Sequence, residues 1–216
     1  MPAPLPVLPG NNVQLRAETI DVWRGDQRVI GGLSFDVNAG FALLVQGANG
    51  SGKSTLLRAI AGLLPLAAGK VEFTDPLGEF DTGEPGSWCH YLSHDNAMKP
   101  ALSVGDNLTF WREFDSHQHL EVDEALEMVG LDHLADIPFA HLSKGQRRRV
   151  AIARLLVTYR PVWLLDEPSA GLDSASEEQL SALLRVHLED GGLVLAATHT
   201  RMDIPNGRGL HLESPS

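Results

Sequence analysis

From Val13 onward, apolar residues recur at every second position: Val13, Leu15 and Ala17, then Ile20 and Val22. This is the pattern of a strand with one buried face. A turn at Gly25-Asp26 separates it from a second run, Leu33 to Val37, and the two together predict an antiparallel β-layer. Phe41 to Val45 is apolar throughout, as in a strand covered on both faces. Thr55 to Leu64 is apolar on nearly all sides, which predicts a buried helix stopped by Pro65. Val71 to Phe73 and Trp88 to Leu92 predict further strands, joined by a polar loop from Thr74 to Ser87.

Between residues 93 and 140 the period becomes helical. Ser103 caps a helix over Val104 to Phe114, and Leu120 to Val129 places Ala125, Leu126 and Val129 on one face before Gly130 closes it. Ser143 opens a third helix to about Val157. Val162 to Leu165 is a short strand, Ser174 with Glu177 forms a capping box for a helix to about Leu188, and Leu193 to Ala197 is another buried strand. Strands alternating with helices predict a parallel core sheet. Because strand signals resume only at Val162, the stretch from about 93 to 157 is expected to be a helical insertion. Residues 1 to 12 carry four prolines and are expected to form an extended arm.

The strand ending at Val45 and the helix opening at Thr55 enclose Gly47-Ala48-Asn49-Gly50-Ser51-Gly52-Lys53-Ser54. This fits G-x-x-x-x-G-K-[ST], a phosphate-binding pattern that carries meaning in a strand-to-helix setting. Its glycines let backbone N–H groups and the positive helix end come close to phosphate oxygens. Lys53 reaches the β- and γ-phosphates and Ser54 offers a hydroxyl to Mg²⁺, so Gly47 through Thr55 form the expected nucleotide contacts. Farther on, the apolar strand at Val162 ends in Asp166 and Glu167. Carboxylates at the carboxyl end of a parallel strand hold Mg²⁺ and water, which gives Asp166 to the metal and Glu167 to the attacking water as general base.

Leu142-Ser143-Lys144-Gly145-Gln146 supplies a second anion site, with a serine hydroxyl and glycine N–H groups at a helix N-terminus. The run resembles the L-S-G-G-Q signature of the ATP-binding-cassette ATPases, with Lys144 in the first glycine position. Pro168 to Asp173 resembles that family's D-loop, and Ala197-Thr198-His199 resembles its switch histidine. The order and spacing of Lys53, Ser143, Asp166 and His199 are similar to the family's, and the resemblance runs from Val13 to about Leu212.

The resemblance implies an α/β fold of the P-loop ATPase type, in a single domain over 13–216. Its parallel core sheet would carry an N-terminal antiparallel β-layer and an inserted helical subdomain. It also implies Mg-ATP hydrolysis in a head-to-tail homodimer, since the chain has one copy of each motif. Ser143, Gly145 and Gln146 of one copy would close over the ATP held by the other, and His199 would touch the γ-phosphate. Two positions depart from the family pattern. His94 stands where the family has a metal-sensing glutamine, and an imidazolium there would repel Mg²⁺. Arg24 stands where an aromatic residue stacks on adenine, with Trp23 beside it; a guanidinium can stack on a base, and the sequence leaves the choice between the two open. Arg147 and Arg148 are expected on the solvated face of their helix.

Composition narrows the class. With 28 acidic against 17 basic residues the net charge is -11, which excludes a broad nucleic-acid surface. Cys89 is alone, so no internal disulfide can form, which fits a reducing compartment and a buried packing role. No apolar run is long enough to span a bilayer, and Met1 to Pro6 has neither a basic nor an apolar leader region. A membrane role is therefore expected through a partner; the family resemblance implies a place at the cytoplasmic face of the inner membrane.

Gly32 to Phe35, Trp88 to Val104, Asn107 to Trp111 and Leu142 to Arg154 resemble the family branch that supplies the ATP-binding subunit for cytochrome c maturation and haem export. That branch implies integral membrane permease subunits as partners. The ATPase of another small exporter, for lipoprotein, drug or polysaccharide, is the alternative. A soluble cassette of translation or DNA repair would need tandem cassettes or a long coiled-coil insertion, and a GTPase would need N-K-x-D. The nine histidines, among them His90, His94, His117 and His119, show no haem-ligation spacing.

Overall fold

The alternation from Val13 folds as β1 (Gln14–Arg24), whose Leu15, Ala17, Ile20 and Val22 are all buried. The three-residue step from Ala17 to Ile20 is a β-bulge. Thr19 adopts φ 45, the register shifts there, and Ile20 returns to the inner face. The computed structural model describes residues 13–75, 85–114, 117–199, 202 and 204–213, so the proline-rich arm and most of the loop after Thr74 lie outside the described residues.

β1 pairs antiparallel with β2 (Gln27–Val37) across the Gly25-Asp26 turn and with β4 (Ala68–Thr74) on its other side, giving the order β2-β1-β4. A second sheet has the order β5-β6-β7-β3-β8, from β3 (Ala42–Gln46), β5 (Cys89–Leu92), β6 (Val162–Asp166), β7 (Leu193–Ala197) and β8 (Gly207–His211). Its pairs β6·β7, β3·β7 and β3·β8 run parallel. Every residue of β6 and β7 is buried, which is why these strands read as continuous apolar runs.

The helices are α1 (Lys53–Ile60), α2 (Pro85–Trp88), α3 (Val104–Phe114), α4 (Val122–Met128), α5 (Lys144–Val157) and α6 (Ser174–Glu189). Several boundaries differ from expectation for local reasons. α1 ends at Ile60, before Pro65, because Gly62 turns left-handed at φ 73. Trp88 closes the short α2 and stacks on Phe73 at 5.8 Å, so the strand begins one residue later. α6 is capped by Asp173, whose Oδ1 accepts from Ser176 N at 2.9 Å, and not by Ser174. The hydrogen bonds from Ser176 hold the Asp173 carboxyl below the usual carboxylate range.

The described residues fall into two units. One comprises Leu92–Arg160 with Ser169–Leu183 and is helical, built on α3, α4, α5 and the start of α6. The other comprises residues 13–91, Pro161–Pro168 and 184–213 and carries the strands. Within this second unit His187 stacks on Trp163 at 4.1 Å. A Cβ at Gly192 would sit 2.3 Å from the imidazole, so the chain passes this buried histidine only as glycine.

Candidate nucleotide site

In the strand-rich unit, β3 leads to the glycine loop and α1 starts directly after Gly52. A Cβ at Gly52, where φ is 100, would meet Val29 Cγ1 at 2.7 Å. A Cβ at Gly47 would lie 2.5 Å from Ser51 Oγ and 2.6 Å from the Leu212 carbonyl. The turn therefore requires glycine at both places. Gly52 caps α1 without a side chain, and the first turn of α1 holds no acidic residue, so the helix start keeps its positive potential. The buried Lys53 donates from Nζ to the carbonyls of Gly47 at 2.9 Å and Ala48 at 3.1 Å. Ser51 Oγ is buried with no hydrogen-bond partner.

At the other side of the same unit β6 ends in the buried Asp166. Glu167 follows with φ 47, a left-handed conformation that is strained for a residue with a Cβ, and its N–H donates to the Ala197 carbonyl at 2.8 Å. His199 Nε2 lies 3.2 Å from Glu167 Oε1. Tyr91 donates its hydroxyl to Asp166 Oδ2 at 3.4 Å and accepts from Arg58 Nε at 3.2 Å. Burial, and after it the Asp166 charge, raises the Tyr91 phenol above its ordinary value against the pull of Arg58, so it remains a donor.

One cavity of about 620 Å³ gathers Asn49, Gly50, Gly52, Lys53, Ser54 and Thr55 with Asp166, Glu167 and His199. The β1–β2 turn closes it with Arg24, Gly25, Gln27 and Val29. Trp23 is half exposed and is not among the lining residues, so of the pair left open by the sequence it is Arg24 that faces this cavity. Gln27 and Val29 went unnoticed in the sequence because nothing in their spacing marks them. They enter only because the hairpin folds its second strand against the loop. The Ser54 hydroxyl and Asp166 carboxylate are hard oxygen donors, a set that fits Mg²⁺. Among the described residues no cluster of three His, Cys, Asp or Glu forms a metal cage.

The helical unit holds the second motif. Ser143 is the N-cap of α5: its Oγ accepts from Gln146 N at 3.3 Å, while Gln146 Oε1 accepts from Ser143 N at 2.8 Å. A Cβ at Gly145 would sit 2.9 Å from the Gly171 carbonyl, and the Lys144 stem packs over Gly171. The expectation that Arg148 is solvated is wrong. It is only 4% exposed, and its guanidinium donates to the Ser93 carbonyl at 2.7 Å. Arg147, half-buried, donates to the Ala140 carbonyl at 2.6 Å. Arg154 is buried too. Burial, with Arg160 and Arg148 nearby, lowers it to about 10, and it lies 4.8 Å over the Trp111 ring. His94 also belongs to this unit; with Asp95, Asn96, Lys144, Arg147 and Arg148 it lines a separate cavity of about 330 Å³.

A phosphate loop, a strand-end carboxylate pair with a histidine, and a serine-capped glycine motif together define a nucleotide-binding ATPase subunit. Residues 30–170 match the family model described as ABC transporter, and the chain belongs to that family. It is 53% identical over 200 residues to the cytochrome c biogenesis ATP-binding export protein CcmA of Chelativorans sp., an alignment spanning 93% of this chain and 98% of that protein. To the protein of the same name from Mesorhizobium japonicum it is 52% identical, over 89% of this chain and 94% of that one. Among solved structures, a dimeric ATP-binding cassette in a post-hydrolysis state, bound to ADP and Pi, superposes with a TM-score of 0.78 at 25% identity, over 92% of this chain and 94% of that one. A putative ABC transporter ATP-binding protein from Pyrococcus furiosus gives 0.76 at 22% identity, over 91% and 97%. The family and the P-loop fold read from the motifs are thus borne out. No described helix is long and apolar enough to cross a membrane.

Proposed function

We propose that the chain is the ATP-hydrolysing subunit of an export complex serving c-type cytochrome biogenesis, with haem delivery as the work driven by ATP. The observation that carries this is the convergence of Lys53, Ser54, Asp166, Glu167 and His199 on one cavity. It occurs in a chain about half identical, over most of its length, to relatives named for cytochrome c biogenesis export.

In this reading the N–H groups of the loop and the start of α1 receive the phosphates. Lys53 leaves the carbonyls of Gly47 and Ala48 for the β- and γ-oxygens, and the Arg24 guanidinium lies against the adenine. Ser54 and Asp166 would hold Mg²⁺, which when bound neutralises charge developing on the transferring phosphoryl group. Glu167 takes a proton from the water that attacks Pγ as the bond to the ADP oxygen breaks. His199 orients Glu167 and contacts the γ-phosphate. The acting assembly is a head-to-tail homodimer in which Ser143, Gly145 and Gln146 of one copy cover the nucleotide of the other. The 93–157 stretch is a helical subdomain within a single 13–216 cassette, with His94 in the metal-sensing position. It passes the motion to integral membrane permease subunits at the cytoplasmic face of the inner membrane.

Deleting the gene in its host and staining membrane fractions for covalently bound haem tests the proposal. c-type cytochromes should vanish and return with the wild-type gene. Glu167→Gln should not restore them, because the variant binds ATP while turnover slows at least about 100-fold. Cytochromes that persist without the gene would remove the haem assignment and leave the ATPase of a different exporter.

A further inference from the structure

α1 presents Ser54 and, one turn on at the i+4 position, Arg58 on the same face. Arg58 Nε donates to the Tyr91 hydroxyl at 3.2 Å, and that hydroxyl reaches Asp166 Oδ2 at 3.4 Å. Three elements thus meet behind the carboxylate assigned to the cation: α1 beside it in the loop, β6 that carries it, and β5 at the sheet edge. Tyr91 is half-buried while the other three residues of β5, Cys89, His90 and Leu92, are buried, and its hydroxyl reaches the carboxylate of Asp166, which lines the cavity. Nothing in the phosphate-loop chemistry itself calls for a phenol at this place.

We infer that Tyr91 is a positioning residue for Asp166: held by Arg58, its hydroxyl fixes the carboxylate at Oδ2 and so sets the orientation in which Asp166 meets a divalent cation beside Ser54. A carboxylate tied by one directional hydrogen bond loses rotational freedom before the cation arrives. Partners of this kind, one step back from a metal ligand, typically change metal affinity about 10-fold or more when removed. The bond also gives a role to Arg58, the one polar residue of α1 after its first turn: the guanidinium fixes the phenol, and the phenol fixes the acid.

The inference rests on the ATPase reading, and the test separates the two. The binding of a fluorescent ATP analogue is titrated with Mg²⁺ in the Glu167→Gln chain, where turnover does not intrude, and again after adding Tyr91→Phe, which keeps the ring and removes only the hydroxyl. Tyr91→Phe should raise the Mg²⁺ concentration for half-maximal tightening about 10-fold. Affinity for the analogue in EDTA should stay within about 2-fold, and so should the urea midpoint. Tyr91→Leu should lower the urea midpoint as well, because it removes the ring. An unchanged Mg²⁺ midpoint in Tyr91→Phe, alongside a Mg²⁺-dependent parent, overturns the positioning role and leaves the ATPase reading standing. Equal weakening with and without Mg²⁺ overturns it too, since that marks general loosening of the site. A parent that binds no nucleotide in either condition overturns both.

Discussion

Two helices of this chain start at glycine-bearing phosphate motifs, and they treat their first turns in opposite ways. α1 opens on Gly52, a left-handed residue with no side chain to cap it, and no acid follows in the first turn. α5 opens on Ser143, which exchanges hydrogen bonds with Gln146 in a closed capping box, and Lys144 adds positive charge at the first helical position. A helix start leaves four N–H groups without intrahelical partners. At α1 no side chain caps those groups, and Lys53 donates to the loop carbonyls of Gly47 and Ala48. At α5 the protein itself satisfies part of the demand. On the proposed function, the first terminus holds phosphate within a single chain, and the second, stable without it, meets a ligand delivered by a second copy.

Disabling each motif separately and measuring nucleotide affinity in dilute chain, where copies stay apart, distinguishes the two helix starts. Lys53→Ala should weaken binding of a fluorescent ATP analogue by about 100-fold, the usual order for truncating one partner of a buried charged contact. Ser143→Ala should change it by less than about 2-fold, and should act only on ATP-driven association and turnover. A comparable loss in both variants would mean that the two termini share one ligand within a single chain, and the contrast would collapse.

Much of this was legible in the sequence because the relevant signals are local. Val13 to Val22 alternates because one face of β1 is buried, and β6 and β7 read as continuous apolar runs because they are buried throughout. Loop glycines, strand-end carboxylates and the Ser143 cap sit at fixed offsets from those elements. What escaped depends on partners distant in the chain. β8 has the exposed, glycine-broken sequence Gly207-Arg208-Gly209-Leu210-His211 and becomes a strand only by pairing with β3. Arg148 looks like part of a solvated basic run, yet it is buried because the Ser93 carbonyl accepts from it. Gln27 and Val29 reach the cavity, and Tyr91 reaches Asp166, through the fold alone. Among the pair Trp23 and Arg24, the sequence could offer both and the strand's orientation selected one.

A serine is ordinarily a better N-cap than glycine, so Gly52→Ser would strengthen a helix whose start was merely undecorated. Here it should instead destabilise the chain by about 2 kcal/mol, since φ 100 strains any residue with a Cβ and that Cβ would lie 2.7 Å from Val29 Cγ1. Ser143→Ala should cost about 1 kcal/mol through the lost cap. Urea unfolding reads both. A Gly52→Ser chain as stable as the parent would show that the bare start of α1 reflects no constraint.

The smallest effect concerns acid. His119 lies in the unit that carries α5: its N–H donates to the Val157 carbonyl at the end of that helix at 3.0 Å, and its ring meets Tyr159 edge-on at 6.0 Å. Burial lowers its imidazole below the ordinary 6.5, against a hydrogen bond at Leu156 and the Glu124 charge, and Nε2 is buried without a hydrogen-bond partner. As pH falls through 6.5 the unfolded chain takes up this proton before the folded one does. The stabilisation is therefore complete above that pH and declines below it, ceasing to change once the folded state is also protonated. Hydrogen exchange at pH 7.5 and 5.5, corrected for intrinsic rates, should show the last turn of α5 losing protection in acid more than α1 does, and His119→Asn should remove that excess. If α5 and α1 lose protection equally, or if the excess survives in His119→Asn, acid sensitivity is no property of the unit holding the second motif, and the two helix starts differ only in how they meet phosphate.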